Sequence, residues 1–89
     1  MIAFVLLTTG TGFEKNVLEK IGSIDGVKEA YIVYGIYDII CKFQRTTIKA
    51  LNNEIREKIQ TLPNVRSTLT MNVLDGGSCK ELVNNLSIK

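Results

Sequence analysis

Histidine is absent from the 89 residues of this chain. The commonest general base and the commonest metal ligand are missing with it, which disfavours much of enzyme chemistry. Cysteine is sparse: Cys41 and Cys79 lie far apart and form no CxxC, so neither a thioredoxin-type site nor a zinc cluster is signalled, and the pair reads as two reduced thiols of a cytoplasmic protein. Charge of one sign is lacking too. Eleven Lys and Arg stand against nine acidic residues, a net charge of +2 spread evenly along the chain, which is no nucleic-acid footprint. No long hydrophobic run occurs. The opening stretch Ile2 to Leu7 is apolar but short, without a basic flank or a small-residue cleavage site, so it reads as neither signal peptide nor membrane span.

What is present is ordinary globular composition, 45% hydrophobic and 22% charged, with room for one domain and one core. A chain this short buries only roughly 60–65% of its unfolded surface when alone, and self-association would relieve that shortage.

The chain repeats itself. Glu19-Lys20-Ile21-Gly22-Ser23-Ile24-Asp25-Gly26-Val27 matches Glu57-Lys58-Ile59-Gln60-Thr61-Leu62-Pro63-Asn64-Val65 with apolar positions in register, and the match extends back to pair Phe13 with Leu51 and Val17 with Ile55. Each copy carries a helical apolar stripe, a turn and a β-rich run. Phe13, Val17, Ile21 and Ile24 mark the first helix, with Thr11 and Glu14 spaced as a capping box for a start near Gly12. The second helix is expected from about Thr47 to Leu62, with Ile48, Leu51, Ile55, Ile59 and Leu62 on one face and Pro63 ending it. The Gly10 to Gly12 turn lacks the Lys and the spacing of a phosphate loop.

Strands are expected at Ile2 to Thr8, Val27 to Tyr34, Tyr37 to Gln44 and Val65 to Leu74, the middle two joined by a tight turn around Gly35. The order β-α-β-β-α-β with similar halves predicts an α+β, ferredoxin-like domain: a four-stranded antiparallel sheet with both helices on one face. Alternation puts Tyr37, Ile39, Cys41 and Phe43 on one side of the third strand and Asp38, Ile40 and Lys42 on the other, so each side carries apolar residues. Two helices cover one face only. Burying the other against a second copy in a two-fold dimer is worth on the order of 10 kcal/mol before association costs.

The segment Val33-Tyr34-Gly35-Ile36-Tyr37-Asp38-Ile39-Ile40, with Pro63-Asn64-Val65-Arg66-Ser67-Thr68-Leu69-Thr70 after the second helix, resembles the effector-binding (RAM) domain of Lrp/AsnC regulators over residues 1 to about 75. The resemblance implies a dimeric α+β barrel whose sheets face each other, assembled further into tetramers, octamers or larger rings. It implies a small-molecule ligand, usually an amino acid, bound where dimers meet, no cofactor, and a role in transcription regulation in the cytoplasm. Full members carry an N-terminal helix-turn-helix. Here the first strand opens at Ile2, so the domain is expected to stand alone, to make no direct nucleic-acid or membrane contact, and to have full-length Lrp/AsnC regulators as candidate partners.

The residues implied for ligand binding are Tyr34, Gly35, Tyr37, Asp38, Ser67, Thr68 and Thr70. Their chemistry suits an amino-acid head group: Gly35 admits close backbone approach, Asp38 offers charge-assisted hydrogen bonds to an ammonium, and the hydroxyls suit a carboxylate. Each also has a plainer reading. Gly35 serves equally as a turn glycine, the tyrosines as core or interface residues, the threonines as strand formers, and Asp38 as the partner of a backbone amide or of Arg66 on a neighbouring copy.

Other functions fit less well. An acylphosphatase needs an Arg-bearing cradle, and Thr8 to Gly12 contains none; an oxygenase without histidine would lean on Tyr31, Tyr34 or Tyr37 with Asp38; an RNA-binding sheet would show a stacking motif on the third strand. An interaction module without a ligand, or an ACT-type amino-acid-binding domain, shares the topology. The tail, residues 76–89, runs past the domain, with Leu82, Val83 and Leu86 spaced for one or two amphipathic turns after Gly76-Gly77.

Overall fold

A computed structural model describes residues 1–87; the packing of the Leu86 side chain and the last two residues of the tail lie outside the described residues. The elements run β1 (Ile2–Thr9), α1 (Glu14–Gly22), β2 (Val27–Ile32), β3 (Ile39–Gln44), α2 (Ile48–Glu54) continuing into a π-helical turn (Ile55–Ile59), β4 (Val65–Asn72) and α3 (Cys79–Ser87). The strands form one sheet in the order β2-β3-β1-β4, all neighbours antiparallel. This is the expected ferredoxin-like βαββαβ fold, with one further helix at its end.

Strict alternation along β1 and β3 decides which face is covered. Ala3, Val5, Leu7, Ile39, Cys41 and Phe43 are buried, and they pack with Val17 and Ile21 of α1 and with Leu51, Ile55 and Ile59 of the second helix. Cys41 sits in this core, and its burial pushes the thiol up to about 11.

The internal duplication is visible as geometry. Gly26 (φ 101°) and Asn64 (φ 69°) occupy equivalent places after their helices, and the following Val27 and Val65 amides close back on Ile24 and Leu62 carbonyls at 3.2 and 3.3 Å. Gly26 is fixed for a second reason: a Cβ there would lie 2.8 Å from Arg45 Cζ and 2.9 Å from Phe43 Cε1.

Four expectations need correction. The Thr11 and Glu14 capping box does not form: α1 starts at Glu14 behind Phe13, whose side chain makes no cap and is exposed. The second helix ends at Ile59, before Leu62 and Pro63, because the π-helical turn uses up its last residues; its cap is Thr47, whose Oγ1 accepts from the Ala50 amide at 3.1 Å. The turn around Gly35 is a six-residue loop, 33–38, closed by the Val33 amide donating to the Asp38 carbonyl at 2.9 Å, so β2 ends at Ile32 and β3 begins at Ile39. Finally, β4 stops at Asn72, two residues short. No helix among the described residues is long and apolar enough to cross a membrane.

Candidate functional site

The loop 33–38 leaves β2 and returns to β3 beside the end of β1. Asp38 is anchored there twice: its amide donates to the Leu7 carbonyl at 2.9 Å, and its Oδ2 accepts from the Thr9 amide at 2.8 Å. The plainer reading of Asp38, partner to a backbone amide, is therefore realised, and the bond fixes the carboxylate at the mouth of a groove. Tyr34 is fully exposed at the loop tip, and Tyr37 and Asp38 are half-buried. Nothing lies within 4 Å of the place a Cβ would take at Gly35, so its backbone is open to approach.

Tyr34 and Asp38 line a groove of about 520 Å³ together with Ile32, Val33, Gly12, Glu14 and Lys15. Apolar walls, two carboxylates and one ammonium converge there, and neither Glu14 nor Lys15 has an ion-pair partner among the described residues. Chemically, such a groove can hold a small zwitterion by both ends while its walls take an apolar stem. Gly12, Glu14 and Lys15 were not expected. The signal for them is the Gly-Thr-Gly turn between β1 and α1, which brings the first turn of α1 against the loop; from spacing alone Glu14 reads as part of a cap.

The β4 residues of the expected set lie elsewhere. Thr68 and Thr70 pair across from the core residues Leu7 and Val5 and share their helix-covered face, both half-buried. Ser67 is exposed on the opposite face, where its hydroxyl is 2.6 Å from the Thr8 hydroxyl. Within one protomer, then, Tyr34 and Asp38 converge on one groove, and Gly35, Tyr37 and the β4 residues do not line it.

A second groove of about 520 Å³ lies at the other end of the sheet, lined by Met1, Lys28, Gln44, Arg45 and Thr46. Its guanidinium is already engaged: Arg45 Nε donates to Glu54 Oε2 at 2.7 Å and Nη2 to the Asp25 carbonyl at 2.7 Å. Among the described residues no cluster of His, Cys, Asp and Glu is placed to hold a metal ion.

The sheet face away from the helices is bare over most of its area. Cross-strand pairing lines up Tyr31, Ile40, Leu6 and Leu69 in one row and Glu29, Lys42, Phe4 and Met71 in the next. Tyr31, Leu69 and Met71 are 55%, 43% and 47% exposed. Glu29 bridges its neighbours, accepting from the Tyr31 hydroxyl at 2.8 Å and pairing with Lys42 at 3.7 Å.

A split-βαβ domain with one bare apolar sheet face and a charged groove at its hairpin belongs, by architecture, to the ferredoxin-like α+β modules. The sequence matches the Lrp/AsnC ligand binding domain over residues 2–81, and the chain belongs to that family. It is similar to the regulatory protein AsnC of Escherichia coli, 41% identical over 59 residues, which is 66% of this chain and 39% of AsnC. The solved AsnC structure superposes with a TM-score of 0.78 at 33% identity, covering 84% of this chain and 51% of that one. The chain thus spans at most about half the length of this relative. The hypothetical protein PHS023 of Pyrococcus horikoshii matches with a TM-score of 0.77 at 44% identity, covering 84% of this chain and 93% of its own. A homocitrate synthase of Saccharolobus islandicus is 40% identical over 62 residues, 70% of this chain but 13% of the enzyme.

Proposed function

We propose that this chain is a cytoplasmic small-molecule sensor in transcription regulation, which binds an amino acid and acts through assembly without catalysing a reaction. The observation that carries the proposal is the pairing of Tyr34 and Asp38 in one groove with an ammonium and a carboxylate that make no ion pair among the described residues. Lys15 takes the ligand's carboxylate, Asp38 and Glu14 its ammonium, and Ile32, Val33 and Tyr34 its stem. Gly35 and Tyr37 in the same loop, and Ser67, Thr68 and Thr70 on β4, complete the site only where another copy closes over it.

Copies of the chain meet through the bare sheet face and assemble further at the hairpins. Ligand then favours one assembly by its differential affinity, the only way a ligand can move such an equilibrium. Full-length Lrp/AsnC regulators, whose ligand-binding half this chain resembles, are the partners with which it would co-assemble. A similar segment occurs as a small fraction of a homocitrate synthase, which supports the view that this is a portable unit.

The test is light scattering after size-exclusion chromatography, with melting curves, on the wild type, Tyr34→Ala and Asp38→Asn across a panel of the common amino acids. At least one amino acid is expected to shift the mass or the melting temperature of the wild type. Tyr34→Ala, which removes only an exposed ring, should lose that response with an unchanged melting temperature in the absence of ligand. A wild-type oligomer indifferent to every amino acid would sink the sensor and leave an interaction module of the same fold.

A further inference from the structure

After β4 the chain does not leave the sheet at once: the Val73 amide still donates to the Ile2 carbonyl at 2.9 Å. It then turns through Asp75 and Gly76, whose φ is 131° and whose amide donates to Asp75 Oδ1 at 2.8 Å. Ser78 Oγ accepts from the Glu81 amide at 3.2 Å and opens α3. The turn aims α3 at the bare sheet face. Leu82 forms one wall of a cavity of about 560 Å³ whose other walls include Ile2, Phe4, Lys42 and Val73.

The seat is loose. Leu82 remains 43% exposed and Val83 61%, and no described residue of α3 joins the core cluster. A helix whose described seat on the sheet is one half-exposed leucine behind two glycines lies at the low-stability end of a structure, where elements detach most easily.

We propose that α3 is a competitive cap on the association face: it and a second copy of this chain contend for the corner made by Ile2, Phe4 and Val73. The inference rests on the reading that copies meet through this face. Two sheets packed face to face lie about 10 Å apart, and a helix with its side chains is itself about 10 Å across. The corner is therefore occupied by α3 or by the partner's strands, and never by both. Association must first lift α3, so the tail sets the concentration at which copies pair, and anything that holds α3 down weakens pairing by the same factor.

The test is sedimentation equilibrium on the full chain as wild type, Leu82→Asp and Leu82→Met, with far-ultraviolet circular dichroism to confirm that each is folded. Leu82→Asp is expected to lower the dimer dissociation constant about tenfold, equivalent to about 1.4 kcal/mol. Leu82→Met, which keeps the apolar contact, should match the wild type. An unchanged constant for Leu82→Asp overturns the cap, and a raised one does so by making α3 part of the interface itself. If the wild type and Leu82→Asp are both monomeric at every concentration, the association reading falls and the cap with it, an outcome distinct from a dimer of unaltered affinity.

Discussion

Glu54 holds two cations at once, accepting from Arg45 Nε at 2.7 Å through one oxygen and from Lys58 Nζ at 2.8 Å through the other. The hydrogen bonds from Arg45 and then Lys58 lower its pKa from the ordinary 4.5 to about 2. Arg45 also reaches Asp25 and stacks over the Phe43 ring at 5.4 Å, so the carboxylate tethers the turn after α1 to the second helix. A group whose pKa is lower in the folded state contributes its stability above the unfolded value and loses it as pH falls through the folded one. The contribution of Glu54 is therefore complete above about pH 4.5 and is lost between there and pH 2. Urea titrations across that range should show a steeper acid-side loss for the wild type than for Glu54→Gln, and equal slopes would remove Glu54 from the acid transition. None of this was legible in the sequence, because Arg45, Asp25 and Glu54 are brought together by a strand end and two turns that no local pattern connects. Asp38 was legible as a carboxylate wanting a partner, but not which one: the Thr9 amide is open to it because Thr9 lies beyond Leu7↔Ile39, the last pair of β1 with β3.

At the scale of the element, the apolar stripe Ile48, Leu51, Ile55 and Ile59 advances by steps of three, four and four residues. Four residues overshoot one 3.6-residue turn by about 40°, so two such steps would rotate Ile59 away from the sheet in a regular helix. The π-helical turn over Ile55–Ile59 widens the last step, and Leu51, Ile55 and Ile59 all reach full burial. Ile48, at the other end of the stripe, is left 41% exposed. Sequence periodicity placed Ile48, Ile55 and Ile59 on one face and gave no means of ranking them. Ile55→Ala should cost about 2–5 kcal/mol of unfolding free energy, the range for truncating a fully buried isoleucine, and Ile48→Ala less than about 1 kcal/mol. Equal losses in urea denaturation would mean that Ile48 is buried as deeply as Ile55, against the exposure that separates them. The Thr11 and Glu14 pair failed as a cap for a related reason. The Phe13 amide donates to the Gly10 carbonyl at 3.0 Å, a tight turn that delays the helix to Glu14 and turns the acid from a cap into a wall of the groove.

For the whole molecule, the strand order and the identity of the covered face followed from the duplication and from alternation along β1 and β3, because each half repeats its stripe, turn and strand in the same register. What alternation cannot say is what covers the second face. The row Tyr31, Ile40, Leu6 and Leu69 has no covering element among the described residues, since α3 reaches only the Ile2 and Phe4 corner. Exposed apolar rows of this kind normally mark a partner surface. Leu69 tests that expectation cleanly: it lies on the bare face beside Leu6 and is 43% exposed, so aspartate there is still hydrated in an isolated protomer. In a face-to-face pair the same carboxylate would be buried without a partner, a cost of several kcal/mol. Leu69→Asp is therefore expected to keep the wild-type circular dichroism spectrum while its scattering mass drops to that of one chain. Gln60→Asp, exposed at the end of the second helix, carries the same charge change on the covered side and should leave the mass unaltered. If Leu69→Asp retained the wild-type mass, association would have to run through the hairpin tips, where Tyr34 and Ile36 stand fully in solvent, and the bare face would lose its claim to a second copy.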